Sequence, residues 1–122
     1  MLRTFRFIFF ISLLIIFYLS LLPASEIPNF AMLSEISDKV IHAIIYFYLG
    51  YLGLNCAFKI SENLLIFYIF NFGLIIEIIH FFHSYRYFEF LDLLANLIGV
   101  TIALLIFKLK SNLSYWFIIF SP

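Results

Sequence analysis

Glu77-Ile-Ile-His80-Phe-Phe-His83-Ser-Tyr-Arg86-Tyr-Phe-Glu89-Phe-Leu-Asp92-Leu-Leu-Ala-Asn96 decides how this chain is read. Acidic, basic and amide side chains crowd the junction between two segments that are otherwise apolar enough to cross a bilayer. A charge placed near hydrocarbon costs about 2.5–3.5 kcal/mol on insertion scales. Leu or Phe would pack there without that cost, so the cluster is a candidate functional site.

The rest of the chain agrees with a bilayer as its solvent. Of 122 residues, 66% are hydrophobic and 11% charged, against about 45–50% apolar and 25% charged in soluble domains. A soluble chain of this size has too much surface to hide so many Phe, Ile and Leu side chains. Four apolar stretches approach the length needed to cross about 30 Å of hydrocarbon. They run over residues 7–22, 40–58, 64–82 and 91–107. Backbone groups in lipid must be satisfied internally, and stretches this long read as helices rather than strands. The expected architecture is an all-α membrane protein. Residues 1–122 form one domain, a bundle of four transmembrane helices with a short interfacial C-terminal tail.

The first stretch also has features of a secretory signal, because Arg3 and Arg6 precede an apolar run ending Leu22-Pro23-Ala24-Ser25. The run is long for a signal core and lacks the A-x-A pattern, which favours a retained helix. Residues 23–37 hold Pro23, Pro28, Asn29 and three serines and read as a loop, with residues 30–33 in the interface. Residues 59–63 read as a tight polar turn. The tail 113–120 is too short to span, and Tyr115 and Trp116 suit the headgroup zone.

The formal net charge is zero, which points to no nucleic-acid partner. Arg3, Arg6, Lys59, Lys108 and Lys110 fall on one side of the expected topology, and Lys39 and Arg86 on the other. Five against two favours both termini inside. Asp38, Lys39, His42, Arg86 and Asp92 then share the outer face.

Helical spacing groups these residues further. Asp38 and His42 lie at i, i+4, Glu77 and His80 at i, i+3, and Asp92 and Asn96 at i, i+4. Ser37 or Asp38 is placed to cap the second helix, and Asp92 the fourth. Asn96 is equally suited to bonding a neighbouring helix. Arg86 is also suited to anchoring in headgroups. His83 reads as interfacial and Glu89 as a solvated loop charge. Glu77 lies about 10 Å of helix rise before the turn at Ser84 and calls for a cation, with Lys39, His42 and Arg86 available. Ala95, Gly99 and Ala103 repeat every four residues, as do Gly53 and Ala57, the spacing of close helix packing in lipid.

Several chemistries are disfavoured. The lone Cys56 rules out an intrachain disulfide and a Cys-based zinc site. Glu77-x-x-His80 is a single copy of an element that di-iron bundles use twice, with two further glutamates. Zinc on His42, His80 and an acid remains open, but no metal or cofactor is assigned. No nucleophile elbow or glycine-rich phosphate loop is present.

Asp38-Lys39-x-x-His42-x-x-x-Tyr46, Glu77, and Ser84-Tyr85-Arg86-x-x-x-x-x-Asp92-x-x-x-Asn96-x-x-Gly99 together resemble the VanZ-like membrane proteins. Leu21-Leu22-Pro23 at the end of the first helix fits as well, so the resemblance spans about residues 13–107. It implies a bacterial inner-membrane protein of a family whose founding member is associated with teicoplanin resistance. It also implies that Asp38, Lys39, His42, Glu77, Arg86, Asp92 and Asn96 are the shared polar residues. His80 departs from it, standing where many members have Gln.

Three functions follow as expectations. In the first, Asp38, Lys39, His42, Arg86, Asp92 and Asn96 bind the headgroup of an envelope lipid or glycolipid. In the second, Glu77 or His80 is the general base of an intramembrane enzyme acting on a lipid-linked cell-wall intermediate. In the third, the cluster only locks a scaffold or assembly subunit.

Overall fold

The computed structural model describes residues 1–22, 35–82 and 89–120. Among these the chain is all-helical: α1 (Leu2–Ser20), α2 (Glu35–Leu54), α3 (Glu62–Phe81) and α4 (Phe90–Phe120). α1, α3 and α4 are long and apolar enough to cross a membrane. α2 carries Asp38, Lys39 and His42 near its start.

Contacts at the helix ends give alternating directions. At one end His80 Nε2 donates to the Ser20 carbonyl at 2.7 Å, joining the ends of α3 and α1. There Lys39 of α2 also meets Asp92 of α4. At the opposite end Arg6 of α1 donates from Nε to the Cys56 carbonyl and from Nη2 to the Ala57 carbonyl, each at 3.0 Å. The same guanidinium lies over the Phe58 ring, 5.4 Å from its centre. Lys110 of α4 approaches the Tyr51 ring at that end. Arg6, Lys59 and Lys110 thus gather at one end and Lys39 lies at the other.

The core is assembled around the α2–α4 pair, which makes the most extensive helix contact. Leu49, Val100 and Ala103 are fully buried, with Tyr46 and Ala95 nearly so. Small residues set the separation. A Cβ on Gly99 would sit 2.3 Å from the Ala43 carbonyl oxygen, and one on Gly50 would sit 3.0 Å from Ala103 Cβ. The Ala95, Gly99, Ala103 stripe is therefore the seam against α2, as its spacing predicts.

α1 packs more loosely. Phe9 is its one buried residue and rests where a Cβ on Gly53 would meet the ring at 3.0 Å. Ser12 Oγ and Tyr48 OH share a hydrogen bond of 2.8 Å between α1 and α2. Between α1 and α3 an apolar cavity of about 370 Å³ opens among Phe9, Phe10, Leu13, Leu65, Ile69 and Phe72.

α1 begins at Leu2 rather than at residue 7, and the helix limits differ from the hydropathy reading in three further places. α2 starts at Glu35 rather than at residue 40, because a polar first turn is helical yet invisible to an apolar window. Its N-cap position therefore precedes Ser37 and Asp38, and Asp38 lies within the helix. α2 also stops at Leu54 rather than 58: Asn55 and Cys56 turn, and Ala57 adopts a left-handed φ of 54°. Arg6 accepts the role of partner to the carbonyls this turn frees. Ala57 is exposed and outside the helix, so Gly53 and Ala57 do not form a packing pair. Ser61 then caps α3, its hydroxyl accepting from the Leu64 amide at 3.1 Å.

The third difference is the tail. Residues 108–120 are not a separate segment but the continuation of α4. No Gly or Pro interrupts residues 100–120, so nothing stops the helix. At 31 residues and 1.5 Å per residue, α4 is about 46 Å long. Its residues 108–119 are all exposed. Residues 23–34, including the expected interfacial residues 30–33, lie outside the described residues.

A left-handed alanine costs about 1–2 kcal/mol that glycine does not. Ala57→Gly is therefore expected to raise unfolding stability in detergent by about 1 kcal/mol, less the entropy that glycine gains in the unfolded chain. An unchanged or lowered denaturation midpoint would show that the turn carries no such strain.

Candidate polar site at the helix ends

The first turn of α2, the last turns of α3 and the start of α4 meet at one end, each bringing carboxylates. Lys39 stands at their centre. Its ammonium bonds Asp38 Oδ2 at 3.3 Å, Asp92 Oδ1 at 2.5 Å and the Glu89 carboxylate. An ammonium has three N–H donors, and here three carboxylates take them. Lys39 precedes the apolar stretch that begins at Val40. Burial lowers its pKa, but the hydrogen bonds it donates to Asp92, Glu89 and Asp38 outweigh that and hold it above the ordinary lysine value. Lys39 is therefore cationic at any physiological pH, and its charge is spent within the cluster.

His42 completes the α2 face. Its Nδ1 lies 2.9 Å from the Asp38 carbonyl oxygen, which can only accept, so Nδ1 carries the proton. Nε2 then faces Asp92 Oδ2 at 3.7 Å, and Asp38 Oδ1 lies 3.7 Å from Nδ1. Asp38, His42 and Asp92 each offer one ligand atom, all within 4.8 Å of one another. This grouping combines His42 with two aspartates. It does not include His80, which the sequence-based zinc set would require.

Glu77 is 2% exposed. Its Oε2 accepts from the Glu89 backbone amide at 3.1 Å and lies 3.6 Å from His80 Nδ1. The carboxylate thus has a structural task that its depth alone did not reveal: it holds the chain where α4 begins. His80 is buried, and its Nε2 is committed to the Ser20 carbonyl. One turn beyond Asp92, Asn96 is 1% exposed and packs near Tyr46 and Gly73. Its Oδ1 has no hydrogen-bond partner among the described residues.

The structure therefore joins Asp38, Lys39, His42 and Asp92 directly, with Glu77 linked to them through Glu89. Asp92 spends its carboxylate across the α2–α4 gap on Lys39. Glu89 is not a solvated bystander but a direct partner of Lys39. Its signal in the sequence was weak: a carboxylate three residues before Asp92, whose partner lies fifty residues away. Arg86 and His83 lie outside the described residues.

The class defined by fold and site is an all-helical protein with three potential membrane-crossing helices and an acid-rich polar cluster at one end. Comparison with known protein families, curated proteins and solved structures finds no match to this chain.

Proposed function

We propose that this chain is a multi-pass bacterial inner-membrane protein of the VanZ-like type, with both termini inside. Its polar end would bind the headgroup of an envelope lipid or glycolipid from the outer leaflet. The observation that carries this reading is the gathering of Asp38, Glu77, Glu89 and Asp92 at one end of an otherwise apolar helix assembly. Large apolar side chains such as Phe7, Phe10, Leu14, Phe67, Ile75 and Leu105 face outward, as lipid requires and water does not. The opposite end carries Arg6, Lys59 and Lys110, in keeping with the positive-inside rule.

The described part of the cluster is rich in acceptors, and Lys39 has no donor to spare for a phosphate. The complementary ligand offers donors, such as the hydroxyls or amines of a sugar-bearing headgroup. Any phosphate contact falls to Arg86, whose planar fork suits it.

The test expresses wild type, Glu77→Gln and Arg86→Ala at matched membrane levels in a Gram-positive host and measures teicoplanin and vancomycin susceptibility. Protection by wild type that both variants lose supports the reading. Equal protection from wild type and Arg86→Ala would sink it. Variants that lose protein level and stability together would favour a scaffold.

The 3.6 Å approach of Glu77 and His80 favours a second reading, an enzyme acting on a lipid-linked cell-wall intermediate. That reading requires turnover by purified protein and its loss in Glu77→Gln. Retention of a lipid without turnover would favour binding.

A further inference from the structure

The two aspartates flanking Lys39 divide their oxygens in a specific way. Asp38 Oδ2 and Asp92 Oδ1 go to the ammonium, while Asp38 Oδ1 and Asp92 Oδ2 lie on the His42 side. Both approach a ring nitrogen at 3.7 Å, beyond hydrogen-bond distance. With Nδ1–H donating to the Asp38 carbonyl, Nε2 is the ring atom that faces Asp92 Oδ2. A proton on Nε2 or a metal cation between the two atoms makes this approach favourable.

We infer that Asp38, His42 and Asp92 form a binding site for a divalent first-row transition-metal cation of the zinc class. Ligand atoms on tetrahedral zinc lie about 2.0–2.2 Å from the metal and so about 3.4 Å from one another. The 3.7 Å between His42 Nε2 and Asp92 Oδ2 is near that value. All three ligand atoms lie within 4.8 Å. Closing the remaining gap falls to Asp38, whose side chain is 37% exposed and has room to rotate.

The surroundings match such a site. The Nδ1–H bond to a backbone carbonyl fixes the ring's tautomer and aim, the support that metal-bound histidines ordinarily have. Lys39 holds the outer oxygens of both aspartates, Asp38 Oδ2 and Asp92 Oδ1. Charge agrees as well. Among the described residues three carboxylates, Asp38, Glu89 and Asp92, surround the one ammonium of Lys39, an excess of acid that a divalent cation would offset. One turn along α4, Asn96 Oδ1 is a buried acceptor with no hydrogen-bond partner among the described residues. Three protein ligands leave coordination positions open, as in sites that bind an oxygen of a ligand. The imidazole ligand favours zinc over magnesium, which prefers an all-oxygen shell.

This inference stands apart from the lipid reading, since its test uses only the purified full chain in detergent micelles. Zn²⁺ binding is followed by calorimetry, and Co²⁺ substitution by its visible absorption. Wild type is expected to bind one cation per chain and to prefer Zn²⁺ to Mg²⁺. His42→Ala and Asp92→Asn are expected to weaken binding by at least about tenfold. Helical circular dichroism confirms that each variant is folded. Glu62→Gln, a carboxylate at the opposite end, is expected to bind like wild type. Folded wild type that takes up no Zn²⁺, or a His42→Ala variant that binds as wild type does, would overturn the site.

Discussion

Lys39→Met is expected to lower the unfolding stability of the protein by about 3 kcal/mol, the scale for removing one partner of a largely desolvated ion pair. The methionine keeps most of the side-chain volume and removes the charge that three carboxylates share. Asp92, with a side chain only 9% exposed, suffers most. Glu89, at 47%, has water to fall back on, which keeps the loss below the sum of three buried pairs. A denaturation series in mixed micelles measures the effect. Adding Asp92→Asn to Lys39→Met is expected to recover part of the loss, because it removes the stranded charge. Such non-additivity is how a direct pair differs from two independent sites. A Lys39→Met loss below about 0.5 kcal/mol, the range of ordinary surface substitutions, would mean that the ammonium does not organise this end.

Gly99→Ala is expected to have the larger effect on packing. The new Cβ would lie 2.3 Å from the Ala43 carbonyl oxygen and 2.9 Å from the Phe47 amide nitrogen. Both are backbone atoms of α2 and cannot rotate aside, so the two helices must move apart. That separation loosens Leu49, Val100 and Ala103 together. Overpacking ordinarily costs about 1–3 kcal/mol, and an entirely backbone obstruction places Gly99→Ala at the upper end. Gly50→Ala is the internal comparison, because its nearest neighbour is the Ala103 methyl at 3.0 Å. Its loss is expected to be about 1 kcal/mol. Equal stability of the two variants would show that α2 and α4 are not in backbone contact at Gly99.

The features legible in the sequence were those written in local spacing. Asp92 and Asn96, four residues apart, are both buried on the inner face of α4. Ala95, Gly99 and Ala103 form its seam with α2. The four helices followed from apolar runs too long for strands. The missed features depend on partners distant in the chain. α2 ends at Leu54 where the Arg6 guanidinium, fifty residues earlier, meets the turn carbonyls. Glu89 looked like a loop charge because nothing beside it announces Lys39. Hydropathy also misplaced both ends of the buried part: charged residues 35–39 are helical, and the Lys108–Asn112 polar interval does not break α4. Apolar windows report where lipid-like surface begins, whereas the backbone stays helical until a breaker or a better partner intervenes.

The contacts of Glu77 refine the functional argument. Its carboxylate accepts the Glu89 amide, so replacing it disturbs the start of α4 as well as any ligand. Glu77→Gln keeps an acceptor for that amide while removing the charge, which separates the two roles better than Glu77→Ala does.

We propose that the polar end holds an envelope lipid by its headgroup. The most direct measurement is mass spectrometry of the intact protein released from detergent micelles, comparing wild type with folded Glu77→Gln and Arg86→Ala. The expected result is a sugar-bearing or phosphate-bearing lipid retained by wild type and lost from both variants. Wild type that releases with no lipid, or variants that keep the same lipid to the same extent, would contradict it.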